Sequence, residues 1–355
     1  MSTHRSILRW ALPAFLSALT LTVAPPTVLA RQPASPPAQT QAKTPPPKLG
    51  ATTDYAPPHT PWGDPDLRGT WPLEVGQTPM QRPEQFGNQV FLTDEQYAAA
   101  LKRAADFAGG ADKEDRANKL GTGNWFERGN VLRQTSLITQ PANGRIPPMT
   151  DLGKRRAAAM KSSWSEKVFD SLADFNSLDR CITRGLPASM IPFPYNNGLR
   201  IFQAPGYVVI NLEMIHETRI IPLAGQPRTR GSMETWLGAS RGHFEGNTLV
   251  IETASFNGES PMVIVGPSNQ PIPTSKAMRI VEHLTPTGPD TIYYEAWVTD
   301  PENLTAPWKM EFPWTRDESY QPFEYACHEG NTLIGAYIKA TSPRYAALRK
   351  AQGGE

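Results

Sequence analysis

Residues 207–255, YVVINLEMIHETRIIPLAGQPRTRGSMETWLGASRGHFEGNTLVIETAS, decide the fold. Three apolar, β-branched runs at 207–212, 219–223 and 248–253 are separated by turn residues. Such side chains fit a pleated, half-buried surface, and Gly, Asn and Pro between the runs turn the chain. Two of the six histidines lie among them, with carboxylates and arginines.

The same signature repeats outward. Residues 199–203 and 207–212 flank an Ala204-Pro205-Gly206 turn, 236–244 and 248–253 flank Glu245-Gly246-Asn247, and 277–284 and 291–299 flank 285–290. In the last pair Ile292, Tyr294, Ala296 and Val298 alternate with Tyr293, Glu295, Trp297 and Thr299, the period of a strand with one wet face. Runs at 309–316 and 325–338 complete the strands. Successive hairpins over 199–345 predict a mainly β core domain, an antiparallel meander forming a barrel or strongly curved sheet. A β-sandwich is the other architecture such strands allow.

Residues 64–198 read as an irregular first half with a few short helices, packing on the strands. Thr93 and Gln96 make a capping box that starts a helix running to about 107, stopped by Gly109-Gly110. A second helix is predicted over 151–160. Residues 1–30 read as a secretory signal: His4, Arg5 and Arg9 precede an apolar core at 11–23, and Val28-Leu29-Ala30 supplies small residues for cleavage. The core is too short to span a bilayer, and no later stretch approaches the ~20 apolar residues that a spanning helix needs. Residues 31–63, rich in Pro, Ala, Gln and Thr, read as a disordered tether.

These features predict a periplasmic or secreted protein. Its formal charge is +1, and −1 once Arg5 and Arg9 leave with the signal, so nothing marks a nucleic-acid partner or an anionic membrane surface. Cys181 and Cys327, the two cysteines, are expected to pair in an oxidising compartment. No P-loop, GxGxxG or CxxCH occurs, so no nucleotide, nicotinamide or haem cofactor is indicated, and Ser240 in Gly238-Ala239-Ser240-Arg241-Gly242 is a poor candidate for a serine nucleophile.

Gly69-Thr70-Trp71 resembles the GxW opening of lipocalin-like barrels, whose Trp closes one barrel end. The motifs DLRGTW, TSLITQPANGRIPPMT, DRCITRGLP, INLEMIHETRIIPL, WLGASRGHFEGNTLVIET, VTDPENLTAPW and FEYACHEGN, in this order over 64–338, resemble a widespread family of exported, uncharacterised bacterial proteins. The resemblance implies export and supplies no catalytic residues. His283, in Glu282-His283-Leu284, stands outside the family pattern.

Four histidines each have a glutamate within two positions: His216 with Glu217, His243 with Glu245, His283 with Glu282, His328 with Glu329. Three arrangements remain open. The pairs are satisfied polar residues at strand ends; or some converge as an imidazole–carboxylate acid–base site; or His216, His243 and His328 hold a metal with Glu213 or Glu245. No HExxH spacing supports the metal, so none is expected. Arg241, His243 and Glu245 share one strand face beside a turn. We therefore expect them at a barrel mouth, with His328 or Glu329 opposite and Glu213 or His216 as a third wall. His243, Glu245, His216, His328 and Glu329 are the candidate catalytic residues, and Arg241, Arg219, Glu213 and Trp236 the candidate ligand-binding ones. Trp297, Trp308, Trp314 and Tyr207 could line an apolar cavity. The chemistry this pattern fits is a cofactor-independent proton transfer, elimination or hydration on a partly apolar, anionic small molecule. A non-catalytic periplasmic ligand-binding or envelope-associated protein fits it too.

Overall fold

The Pro205-Gly206 turn closes the first hairpin because Gly206 adopts φ +81°, which glycine reaches without steric cost. In chain order the strands are β1 (Gly69–Thr70), β2 (Ile138–Gln140), β3 (Leu199–Ala204), β4 (Tyr207–Leu212), β5 (Thr218–Pro222), β6 (Ala239–Glu245), β7 (Thr248–Ala254), β8 (Pro261–Val265), β9 (Gln270–Pro273), β10 (Arg279–Gly288), β11 (Thr291–Thr299) and β12 (Trp308–Thr315). The helices are α1 (Asp94–Arg116), α2 (Asp151–Ala159), α3 (Leu333–Thr341) and α4 (Pro343–Ala351). This computed structural model describes residues 49–51, 53–117, 126–127, 129–226, 233–265 and 270–352. The expected signal and the part of the tether over 31–48 lie outside the described residues.

Antiparallel pairing produces a four-stranded sheet, β1-β3-β4-β5, a six-stranded sheet, β2-β12-β11-β10-β7-β6, and the β8-β9 hairpin. The two larger sheets touch at both margins. Leu223, just past β5, bridges Gly242 of β6, and past β12 the Asp317 N–H donates to the Thr70 carbonyl of β1 at 3.0 Å.

Alternation decides which side chains are inside. Leu199, Ile201, Val208, Ile210 and Ile221 of the smaller sheet meet Leu249, Ile251, Ile280, Tyr294, Met310 and Phe312 of the larger one, all but excluded from water. Each such side chain contributes roughly 1.5–3 kcal/mol by leaving water. On β11 the expected buried set, Ile292, Tyr294, Ala296 and Val298, is the one observed. Trp308 and Trp314 are core residues at 0% and 1% exposure, and Trp297 points outward. Trp71 is buried, and the Arg316 guanidinium lies 4.6 Å over its ring.

One polar cluster crosses this core. Arg219 of β5 donates from Nη1 and Nη2 to both carboxylate oxygens of Glu282 on β10, at 2.9 and 2.5 Å, with side chains 2% and 1% exposed. The Tyr294 hydroxyl donates to Glu282 Oε1 at 2.9 Å. The Ser240 and Thr253 hydroxyls share a 2.8 Å bond and both accept from Arg219 Nη2 at 3.4 Å. Burial, then the neighbouring Glu282 charge, push the Tyr294 hydroxyl far above its ordinary value, so it stays a donor.

Three expectations are corrected. Helix α1 runs past Gly109-Gly110 to Arg116, because glycine costs a helix only about 1 kcal/mol and helix formers resume after it. Residues 325–338 are no strand: apolar residues at 333, 334, 337 and 338 follow the helical period and form α3. Residues 53–63, assigned to the tether, pack on the body: the Thr53 hydroxyl donates to the Thr287 carbonyl at 3.5 Å, and His59 bridges Pro65. No helix among the described residues is long and apolar enough to cross a membrane.

Arg219→Met or Glu282→Leu alone leaves a buried unpaired charge and should cost about 3–5 kcal/mol, whereas the double variant should recover most of that loss. Urea unfolding midpoints of the three variants measure it.

Candidate functional site

The face shared by Arg241, His243 and Glu245 is the wet one. A Cβ on Gly242 would meet Ile221, Leu223 and Leu249 at 3.0–3.3 Å, so the position between them points into the core and the trio points out. His243 Nε2 lies 3.0 Å from Glu245 Oε1, with side chains 40% and 67% exposed. Arg241 Nη2 donates to the Gln226 carbonyl at 3.0 Å. An exposed pair of this kind contributes ~0–1 kcal/mol. The expected barrel-mouth placement of this trio is therefore corrected. The glycine that leaves one face bare lets Leu223 approach, and that contact fixes which face is inside.

Arg219 is committed to Glu282 rather than to a ligand. Trp236 is half-buried, with the Arg180 guanidinium 5.8 Å from its ring. His283 lies on the outer face of β10, 3.5 Å from Glu295.

A second group does converge. The Cys181–Cys327 disulfide forms, with Cα atoms 5.8 Å apart, and ties the segment after β12 to the 181–198 loop. Glu213, buried after β4, accepts from Tyr320 Oη at 2.6 Å, Asn196 Nδ2 and the Phe323 N–H at 2.8 Å, and the Gly198 N–H at 3.0 Å. Beyond it Ile215 and His216 turn through φ +57° and +42°, a conformation costly for side-chain-bearing residues. This turn sets the exposed His216 ring 6.4 Å, centre to centre, from the exposed ring of His328. Glu329, next along, is exposed. Glu213, His216 and His328 thus share one end of the molecule, and Glu217 points away into the interior.

Tyr320 Oη also lies 3.2 Å from Glu127 Oε1, although it has one proton for two carboxylates. Burial raises the Glu127 pKa, against hydrogen bonds from Asn197.

The cavity suited to a small molecule lies elsewhere, between the 184–193 loop and β8. It measures 420 Å³ and is lined by Met80, Trp164, Leu178, Phe193 and Val263, with Arg184 in its wall. The Arg184 guanidinium stacks 4.4 Å over the Phe193 ring, and Nη1 donates to the Ile191 carbonyl at 3.3 Å. No carboxylate among the described residues forms an ion pair with it. Glu217, whose charge favours the protonated arginine, is occupied by the Ser189 hydroxyl at 2.6 Å and the Arg184 N–H at 3.2 Å. Burial lowers the Arg184 pKa to about 10, so it remains a cation at neutral pH. Arg184 also borders a 10 Å³ recess with Ser189, Asn196, Asn197 and Leu212. An apolar chamber with one under-used guanidinium can hold an organic anion.

A larger groove of 510 Å³ runs between Tyr55, Pro58, Trp71 and Pro289. Its arginines are already paired, Arg68 with Asp66 at 2.6 Å and Arg316 with Glu318 at 3.3 Å. No group of three or more His, Cys, Asp or Glu residues able to hold a metal occurs among the described residues.

Sequence reasoning missed Arg184, Phe193 and Trp164, which lie in a stretch with no hydrophobic period. The one available signal was the arginine inside DRCITRGLP, three residues after a cysteine expected to be bonded.

Reducing the disulfide opens a loop of 146 residues and should lower stability by up to about 5 kcal/mol in the chain-entropy model, read as a shift of the urea midpoint. For Glu127, the raised folded-state pKa means that the folded form binds more protons. Its contribution is full below about pH 4.3, the unfolded value, and is lost as pH rises through the folded one. Glu127→Gln, neutral throughout, should therefore show a shallower fall in urea midpoint from pH 4 to 7 than the native protein. An equal slope would assign the effect to Glu74 and Glu217, whose pKa values burial also raises.

Searches for similar proteins found no family model, no curated protein and no solved structure that matches the chain.

Proposed function

We propose that this is an exported, non-catalytic binding protein for a partly apolar organic anion, held in the Arg184 cavity. The observation that carries the reading is a protonated guanidinium in the wall of a 420 Å³ apolar cavity, making one hydrogen bond and no ion pair among the described residues. Cavities of roughly 300–1,000 Å³ suit small organic ligands, and a few placed polar groups orient them. The anionic head lies against Arg184, and the apolar body lies among Leu178, Phe193 and Val263. Trp164, 53% exposed, stands at the opening. Binding is favoured over acid–base catalysis because His243 and Glu245 face water on β6 and no histidine lines the cavity.

Export to the periplasm or beyond is part of the proposal. The disulfide supports it, as does the resemblance to an exported family. We also read the two sheets as one strongly curved, lipocalin-like wall. Support comes from the Leu223–Gly242 bridge at one margin, the Asp317–Thr70 bond at the other, and the buried Trp71 under Arg316.

The fluorescent amphipathic anion 8-anilinonaphthalene-1-sulfonate tests the site. One saturable equivalent per chain is expected. Arg184→Met should weaken binding at least tenfold, the loss of a charge-assisted contact, and Val263→Trp, which fills the chamber, should abolish it. Unchanged affinity in both variants, each verified as folded by circular dichroism, would refute the assignment.

A further inference from the structure

The two exposed histidines joined by the His216 turn are held in a way that ligand cavities and core packing do not explain. His216 stands on a left-handed turn, φ +42°, whose preceding residue Ile215 is 4% exposed and anchors it in the core. Its Nδ1–H donates to the Tyr325 carbonyl at 3.3 Å. That bond selects the tautomer with the lone pair on Nε2, the arrangement by which a backbone carbonyl orients a metal-ligating imidazole. His328 follows Cys327, whose sulfur is bonded to Cys181, so the second ring also hangs from a fixed point. The ring centres are 6.4 Å apart, inclined at 56°.

Two imidazoles on one metal, each at ~2.0–2.1 Å, have ring centres roughly 5 Å apart at a tetrahedral angle and roughly 6.5 Å apart when trans. The observed separation fits the trans end, which is a tetragonal arrangement rather than a tetrahedral one. Tetragonal nitrogen sites suit Cu²⁺, and Cu²⁺ is also the divalent first-row ion that such ligands hold most tightly. We propose that His216 and His328 form an exposed, two-imidazole site for a late divalent transition metal, with Cu²⁺ the preferred ion and water in the remaining positions. His243 is outside the site: its Nε2 faces Glu245. The site is separate from the Arg184 cavity, which neither histidine lines.

The test titrates the full, disulfide-bonded protein with CuCl₂ in the presence of glycine as a competing chelator, followed by electron paramagnetic resonance. One tight Cu²⁺ per chain is expected, with a tetragonal spectrum carrying hyperfine structure from two imidazole nitrogens. His216→Ala and His328→Ala should each weaken binding at least tenfold, and His243→Ala should leave it unchanged. Three results would overturn the proposal: no binding above the glycine background, equal affinity in the His216→Ala, His328→Ala double variant, or loss of binding in His243→Ala. Both single variants lie on the surface, and circular dichroism with a thiol count verifies that each keeps its fold and its disulfide.

Discussion

The Arg219–Glu282 pair is the constraint around which the two larger sheets are arranged. A guanidinium and a carboxylate removed from water each carry a desolvation penalty of several kcal/mol, and only close, bidentate geometry offsets it. That geometry exists here because β5 and β10 present their inner faces to one another at a single register. A one-residue slip of either strand would send one partner to the solvent face and leave the other alone in the core. Tyr294, Ser240 and Thr253 complete the cluster from three further strands. The apolar side chains around it tolerate small displacements; the ion pair does not. It therefore sets specificity of register more than it adds stability.

What the strands hold in place is a set of loops. Cys181, Asn196, Ile215 and His216 all take positive φ without being glycine, and they cluster where the 181–198 loop, the turn after β4 and the segment after β12 meet. Such backbone persists only where its surroundings over-determine it. Here the surroundings are specific. Glu213 collects four donors, Glu217 is held by Ser189 and the Arg184 backbone, and the disulfide closes the loop. Arg184 sits inside this frame, bordering both the apolar chamber and the small recess beside Asn196 and Asn197.

The strands were legible because a strand with one wet face writes its burial into a two-residue alternation, as in 291–299. The disulfide was legible from the export signature and a lone pair of cysteines. Arg241, His243 and Glu245 were correctly placed on one face, but period alone does not say which face is inside. That depends on what Gly242 touches, a contact with residues 221, 223 and 249. Adjacency of histidine and glutamate was a poor guide, because neighbours in the chain diverge: His216 stays at the surface and Glu217 is buried. Arg184 was illegible for a different reason. Its significance lies in having no ion-paired carboxylate among the described residues, a property of three-dimensional surroundings that the local pattern marks only by an arginine close to an expected disulfide.

The Cys181–Cys327 bond makes a covalent ring of the chain between those residues, and β3 through β12 all lie within it. A single proteolytic cut anywhere from 182 to 326 would open that ring without releasing a fragment. Both pieces would stay joined through sulfur, with strand pairing free to hold them in register. Nicking and loss are then separate events, and the second also requires a reductant.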